Sequence, residues 1–293
     1  LPPVDLAQRG IRMLTSLGVA DSTAYGTKSA NLGAIASAKL PGVNVPPGFA
    51  IPFVYYVDHM RTHGLDKALE ALLQDPRWAH DRSWRNAEAT AMRAKIRAAT
   101  LAPDLLNQLE KLIRTRLASR GVFVRSSTNA EDLEGFNGAG LYDTVPNVRG
   151  RAALAGAVRQ VWASLWNARA IDERALYGIA HSETYAAVLI QYGIDATAAG
   201  VLVTANLFNE EDPDSYTINA KRGLGIRVVE GASIPEQVLF DTSNNGTKII
   251  SRSDDPTMLI FDGEGGILEV PNLHRGVILN EVRTRKLARA VEA

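Results

Sequence analysis

The chain has no cysteine, which excludes disulfides, thiolate metal sites and a cysteine nucleophile. It has no run approaching the ~18 consecutive apolar residues that a membrane-spanning helix requires, so no membrane partner is expected. It has no excess of either charge: 32 Lys and Arg balance 32 Asp and Glu. Without a global basic field, nucleic acid is not expected as a partner, and any phosphate recognition must come from local charge. No Gly-x-x-x-x-Gly-Lys-Ser/Thr loop, no Gly-x-Ser-x-Gly elbow and no Ser/His/Asp set can be traced. Aromatic residues are only 6% of the chain, and Trp78, Trp84, Trp162 and Trp166 read as packing residues. The five histidines are scattered. His59 and His63 share a helix face, but with no third ligand nearby they read as a solvated pair, and no metal-binding residue is assigned.

What is present is enough apolar material, 46% of 293 residues, to build one large domain or two lobes. The opening Leu1-Pro2-Pro3-Val4-Asp5 lacks Met and any leader character, and Leu287 to Ala293 stops within a helical pattern. Both ends are therefore expected to be cuts in a longer chain, and a cytoplasmic location is expected. Residues 5–17 have the spacing of a short amphipathic helix. Gly26-Thr27-Lys28 opens a small-residue helix running through Ala38, residues 43–52 read as a turn-flanked strand, and Phe53 to His63 as a helix. Residues 66–120 and 151–179 are helical, with apolar stripes such as Leu105, Leu109, Leu112 and Ile113, or Leu154, Val158, Val161, Trp162 and Leu165. Strands are expected at 186–190, 200–204, 216–220, 237–241 and 248–251, followed by a helix over 278–293. Helices and strands in blocks argue for an α+β fold with antiparallel pairing.

The most informative stretch is Val122 to Asp132, followed by a glycine-rich turn. A strand from Val122 to Val124 delivers Arg125, the hydroxyls of Ser126 and Ser127, then Glu131 and Asp132. Gly135, Gly138 and Gly140 follow within six positions, and Thr144 adds a hydroxyl. A fixed cation, hydroxyl donors and backbone N–H groups exposed by glycine are the parts of a polyphosphate cradle. Each part has a plainer reading: a strand-end ion pair for Arg125, helix-start acids for Glu131 and Asp132, a hairpin for the glycines. Lys28, at a glycine turn opening a helix, can reach a phosphate or lie on the surface. Ala187 to Gln191 is either a core strand or one whose end presents backbone groups to a base. Ile218 to Gly225 runs a strand into Gly-Leu-Gly, which implies close approach to a ligand or to another backbone. There Lys221 and Arg222 are phosphate candidates only if the site extends to them.

The order of these motifs resembles the N-terminal nucleotide-binding domain of the pyruvate phosphate dikinase and phosphoenolpyruvate synthase family. The resemblance rests on Gly26-Thr27-Lys28 with Ala30 to Gly33, Val45 to Phe49, Val124 to Ser127 with Glu131 and Asp132, Gly138-Ala139-Gly140 with Thr144, Gln191, Gly200 to Thr204, and Gly223 to Gly225 with Val228 to Gly231. It covers residues 20–293. Glucan water dikinases and rifampicin phosphotransferases are similar over the same motifs, so the subfamily stays open. The resemblance implies an ATP-grasp fold: two lobes with largely antiparallel sheets and a helical segment between them. It divides the chain into a linker helix at 1–19, a first subdomain at 20–120 and a second at 121–293. It further implies ATP with Mg²⁺ as cofactors. Lys28 and Arg125 become the catalytic phosphate contacts, with Ser126 beside them. Gly138, Ala139 and Gly140 lie over the phosphates with Thr144 near, and Gln191, Gly193 and Ile194 meet the adenine. The phosphoryl group passes to a histidine on a separate domain, so phosphohistidine and substrate domains are expected elsewhere in a longer chain.

The departures from the pattern bear on function. The Glu-Trp-Ala-like acidic strand and the Gln-x-Arg strand that supply a metal carboxylate and a further arginine do not occur in these 293 residues. The Thr-x-Gly-Gly stretch leading to a phosphohistidine is also missing, and Asn219 stands where the family commonly has an acid. The fragment is accordingly expected to bind nucleotide weakly and not to turn over alone. A non-catalytic ATP-grasp-like binding module and a glucan-binding or glucan dikinase-related module remain alternatives.

Overall fold

The computed structural model describes residues 1–118, 121–131, 133, 136, 138, 140–231, 233–274 and 276–292. The chain folds as two compact units, one formed by residues 1–38 and 45–193, the other by 39–44 and 194–293. Among the described residues no helix is long and apolar enough to cross a membrane.

The first unit is built on a five-stranded sheet in the order β1-β2-β5-β3-β4. Its strands are β1 (Arg12–Met13), β2 (Gly48–Ile51), β3 (Val122–Thr128), β4 (Thr144–Val148) and β5 (Ala186–Tyr192). Every pairing is antiparallel. Helices α1 (Ser22–Tyr25), α2 (Thr27–Ala38), α3 (Val54–Thr62), α4 (Leu65–Gln74), α5 (Arg77–His80), α6 (Arg82–Ala98), α7 (Pro103–Arg116), α8 (Arg151–Ala163) and α9 (Ala168–Leu176) surround it.

Because successive strand residues point to opposite faces, the sheet divides its side chains between two cores. Val122 and Val124 enter the larger cluster with Leu154, Val158, Val161 and Trp162 of α8, and with Leu105 and Leu109 of α7. These are the apolar stripes of the sequence, buried as their helical spacing requires. On the other face Leu189 and Ala50 pack with Leu14, Leu17 and Tyr25, and this is the face that receives α2.

The second unit has a four-stranded antiparallel sheet, β6-β7-β8-β9, and a hairpin, β10-β11. These are β6 (Ala198–Val203), β7 (Ser215–Arg222), β8 (Glu236–Asp241), β9 (Gly246–Ser251), β10 (Thr257–Phe261) and β11 (Ile267–Pro271), with α10 (Ile226–Glu230) and α11 (Glu281–Glu292). Ile218, Val238, Phe240, Ile278, Leu279 and Ala288 form its core. Glu236, 2% exposed, accepts from the Ile278 and Leu279 amides at 3.1 and 2.6 Å and from Arg252 at 2.9 Å, which moors the segment leading into α11.

The α+β architecture with antiparallel sheets is the one expected from the blocks of helix and strand. Several local expectations are corrected. No helix forms over residues 5–17; the segment is irregular except for β1 and a single 3₁₀ turn at Leu14–Ser16. Its apolar residues are held by the sheet edge, where Arg12 pairs with Ala50, and Leu14 is buried against Tyr25. Strand β3 extends to Thr128, so Arg125 lies within a strand and not at its end. The first compact unit runs on to Gly193, with β3 paired to β5 along its whole length.

Candidate nucleotide-binding site

Gly26 begins the construction. Its φ of 77° and ψ of 161° belong to a region open essentially to glycine. A Cβ there would stand 2.2 Å from the Ser127 carbonyl oxygen. The glycine therefore sets the start of α2 directly on β3. The Ser127 hydroxyl accepts from the Ser29 amide at 2.9 Å, satisfying a first-turn N–H from another element.

This contact carries Lys28 to the strand. Its ammonium donates to the Ser126 carbonyl at 2.8 Å and to Glu131 Oε1 at 3.2 Å, though 98 residues separate Lys28 from Ser126. Arg125, the preceding residue on β3, projects from the face that receives α2. It sits opposite Thr144 on β4 and Leu189 on β5. Its guanidinium donates to Gln191 Oε1 at 3.2 Å, and the Gln191 amide donates to the Pro46 carbonyl at 3.0 Å. Burial pulls the Arg125 pKa below its ordinary value, and the Glu131 charge opposes that shift. Among the described residues no carboxylate bonds directly to this arginine, and its side-chain partner is the neutral Gln191 oxygen.

The remaining parts fall around this pair. Ser126 lies on the opposite face of β3 from Arg125, and its hydroxyl donates to Glu131 at 3.3 Å. Gly138 is seated against Ala130 and Glu131, where a Cβ would meet the Ala130 carbonyl at 3.0 Å. Gly140 has φ of 74° and open space around it, and Thr144 is exposed beside Arg125. Asp132, Gly135 and Ala139 lie outside the described residues. Tyr192 and Gly193 spend their amides on Pro47 and Gly121 carbonyls at 2.8 and 2.9 Å. Ile194 belongs to the second unit and is 48% exposed. One compact unit thus gathers Lys28, Arg125, Thr144, Gln191 and the Gly138 turn.

Other sequence candidates find structural roles. Lys221 is 1% exposed and pairs with Asp255 at 2.9 Å, with Ser233 as a second acceptor. Gly223, at φ of 77°, approaches a backbone: a Cβ there would be 2.4 Å from the Leu259 carbonyl on β10. Trp78, Trp162 and Trp166 are buried, and Trp84 packs on the same core under the Arg77 guanidinium. No tryptophan offers a glucan platform. His59 is not the solvated residue its helix position suggested; it is buried against Trp162 at 5.0 Å, with Nε2 3.4 Å from the Ile96 carbonyl. Burial lowers its pKa to about 4. No group of three metal-ligating side chains converges among the described residues.

A family model described as the pyruvate phosphate dikinase AMP/ATP-binding domain matches residues 22–293. The chain belongs to this family. Dikinase-type relatives agree along its length. A probable phosphoenolpyruvate synthase of Methanothermobacter thermautotrophicus is 31% identical over 273 residues, covering 90% of this chain and 38% of the relative. The phosphoenolpyruvate synthase of Pyrococcus furiosus is 28% identical over 299 residues, covering 89% and 36%. That of Pseudomonas aeruginosa is 33% identical over 234 residues, covering 76% and 29%. The chain thus spans little more than a third of the first two relatives. It is a dikinase-type ATP-binding domain of the fold class the motif order implied, and the glucan-binding alternative is not favoured.

Two residues that organise the site were not singled out in the sequence. Asn129, 2% exposed, donates to the Glu183 carbonyl and accepts from the Tyr185 amide, both at 2.8 Å, and so ties the end of β3 to the approach to β5. No local pattern marks it. Arg174, fully buried, donates to the Leu165 carbonyl at 2.7 Å, to the Tyr142 hydroxyl and to His181 Nδ1. Its signal was available: it follows Ala170 and Ile171 at helical spacing, on the buried stripe of α9.

Proposed function

We propose that this domain binds the triphosphate of ATP on Lys28 and Arg125 and presents it for phosphoryl transfer of the phosphoenolpyruvate synthase type. The observation that carries the reading is the convergence of Lys28 and Arg125, from α2 and β3, on adjacent backbone positions of one strand. The α2 terminus adds the positive end of its helix dipole to the same place. Phosphoryl transfer asks a protein mainly for positioning and charge stabilisation, and two cations held by a rigid sheet supply both. Gly138 and Gly140 lie over the phosphates with Thr144 beside them. The Gln191 to Ile194 segment meets the adenine, the Gln191 amide linking that edge to Arg125.

Mg²⁺, when bound, would supply neutralisation of the phosphate charge. The described residues offer no three-ligand group for it, so no step is assigned to a protein-held metal. The acceptor is a histidine on another domain, in keeping with relatives of which this chain covers 36–38%. The 293-residue chain alone binds ATP without completing the transfer.

Calorimetric titration with Mg·ATP tests the reading. Arg125→Ala and Lys28→Ala should each cost about 1.5–3 kcal/mol, the worth of a charge-assisted contact. Variants that remain folded and bind ATP as the parent does would move the site elsewhere.

A further inference from the structure

We propose that Glu131 is the positioning residue of the phosphate cradle, its buried carboxylate holding the Lys28 ammonium ordered before the triphosphate arrives. The inference rests on reading this cleft as the triphosphate site. Glu131 is 5% exposed, and its carboxylate is fixed without help from the lysine. One oxygen accepts from the Thr128 amide at 3.2 Å, and the other from the Ser126 hydroxyl at 3.3 Å. Both donors belong to β3, so the carboxylate is as rigid as the strand. Lys28 then docks against it at 3.2 Å and against the Ser126 carbonyl at 2.8 Å.

An ammonium has three hydrogens to donate. Among the described residues two are engaged in these contacts, which leaves one for an anion. The lysine side chain stays 29% exposed, so that anion can come from solvent. The glycine turn rests on the same residue: a Cβ on Gly138 would lie 3.2 Å from Glu131 Cγ. Glu131 therefore registers two parts of the cradle, the cation from α2 and Gly138.

Two opposed effects decide what Glu131 does to affinity. Its negative charge repels a triphosphate. Its hold on Lys28 removes the entropy cost of ordering a long side chain on binding, a cost worth about tenfold in affinity for one rotamer-rich residue. The repulsion is muted because three donors already face the carboxylate, so the ordering effect is expected to win.

The test is a double-mutant cycle read by calorimetry on the 293-residue chain, with Mg·ATP and adenosine as ligands and folding checked by circular dichroism. Glu131→Gln should weaken Mg·ATP about tenfold and leave adenosine unchanged. Added to Lys28→Ala, it should cost nothing further. Glu131→Asp keeps the charge, drawn back by one methylene, and should fall between parent and Glu131→Gln. It carries the same cycle if the glutamine variant does not fold. Mg·ATP affinity equal to or above the parent's in Glu131→Gln, or an equal loss in the Lys28→Ala background, would overturn the proposal. The triphosphate reading itself fails differently: there the parent gives no heat with Mg·ATP, or Lys28→Ala alone leaves affinity unchanged.

Discussion

Gly26→Ala is the substitution that most directly joins the fold to the site. Three costs can be worked from the structure. At φ of 77° and ψ of 161°, an L side chain is strained by about 1–3 kcal/mol. The new methyl would lie 2.2 Å from the Ser127 carbonyl oxygen, 2.4 Å from its carbon and 2.6 Å from its hydroxyl. That is a clash with backbone that no rotamer relieves, and overpacking of this kind costs about 1–3 kcal/mol. If α2 retreats to relieve it, the Ser29 to Ser127 bond is lost, at about 1 kcal/mol. Strain and clash partly share one remedy, so the total is about 3–5 kcal/mol and not the full sum. The retreat that relieves the clash also draws Lys28 from Ser126 and Glu131. Urea denaturation followed by circular dichroism should show a lower midpoint at unchanged slope. Calorimetry at a temperature where the variant is folded should show weakened Mg·ATP binding. A loss of stability below about 1 kcal/mol, or full ATP affinity in the variant, would refute the claim that this glycine seats the lysine.

Three further outcomes are expected. Gly156 lies inside α8, where a methyl would meet nothing within 4 Å beyond its own stretch of helix, so Gly156→Ala should gain about 0.5–1 kcal/mol, read as a raised urea midpoint. Stability should fall with acidification between pH 6.5 and about 4. Burial lowers the folded pKa of His59 and of His181 to about 4, so the unfolded chain takes up the protons first and is favoured as the pH drops. The His59 share is about 3 kcal/mol at most, and His59→Phe should flatten the urea-midpoint profile across that window. Glu236→Ala strands the Ile278 and Leu279 amides and Arg252. It should cost about 2–4 kcal/mol, with hydrogen exchange accelerated first at residues 278–279 and along α11.

What the sequence disclosed and what it hid divide along a physical line. Periodicity reports which face of a helix is buried, and Leu154, Val158, Val161 and Trp162 are buried as their spacing required. Glycine reports a backbone demand, and Gly26, Gly138 and Gly223 each meet one, although sequence alone could not say whether Gly223 faced a ligand or the Leu259 carbonyl. Strands β4, β10 and β11 escaped because they are short and carry Pro146, or lie on a half-exposed hairpin with no clean alternation. The 5–17 segment misled because helical spacing is also compatible with a chain pinned to a sheet edge, and tertiary contact outweighs weak local preference. The site was legible as a set of residue types and illegible as a geometry. Nothing local to Lys28 specifies Glu131, and nothing local to Arg125 specifies Gln191, 66 positions away. Those pairings follow from the antiparallel register of β3 with β5 and from one glycine that permits α2 to touch the strand. The cations of the candidate site are therefore encoded in short motifs, while their separation and orientation are encoded in the packing between them. That is why neutralising a carboxylate that itself repels phosphate, or adding a methyl where none fits, should change phosphate binding as surely as removing a cation.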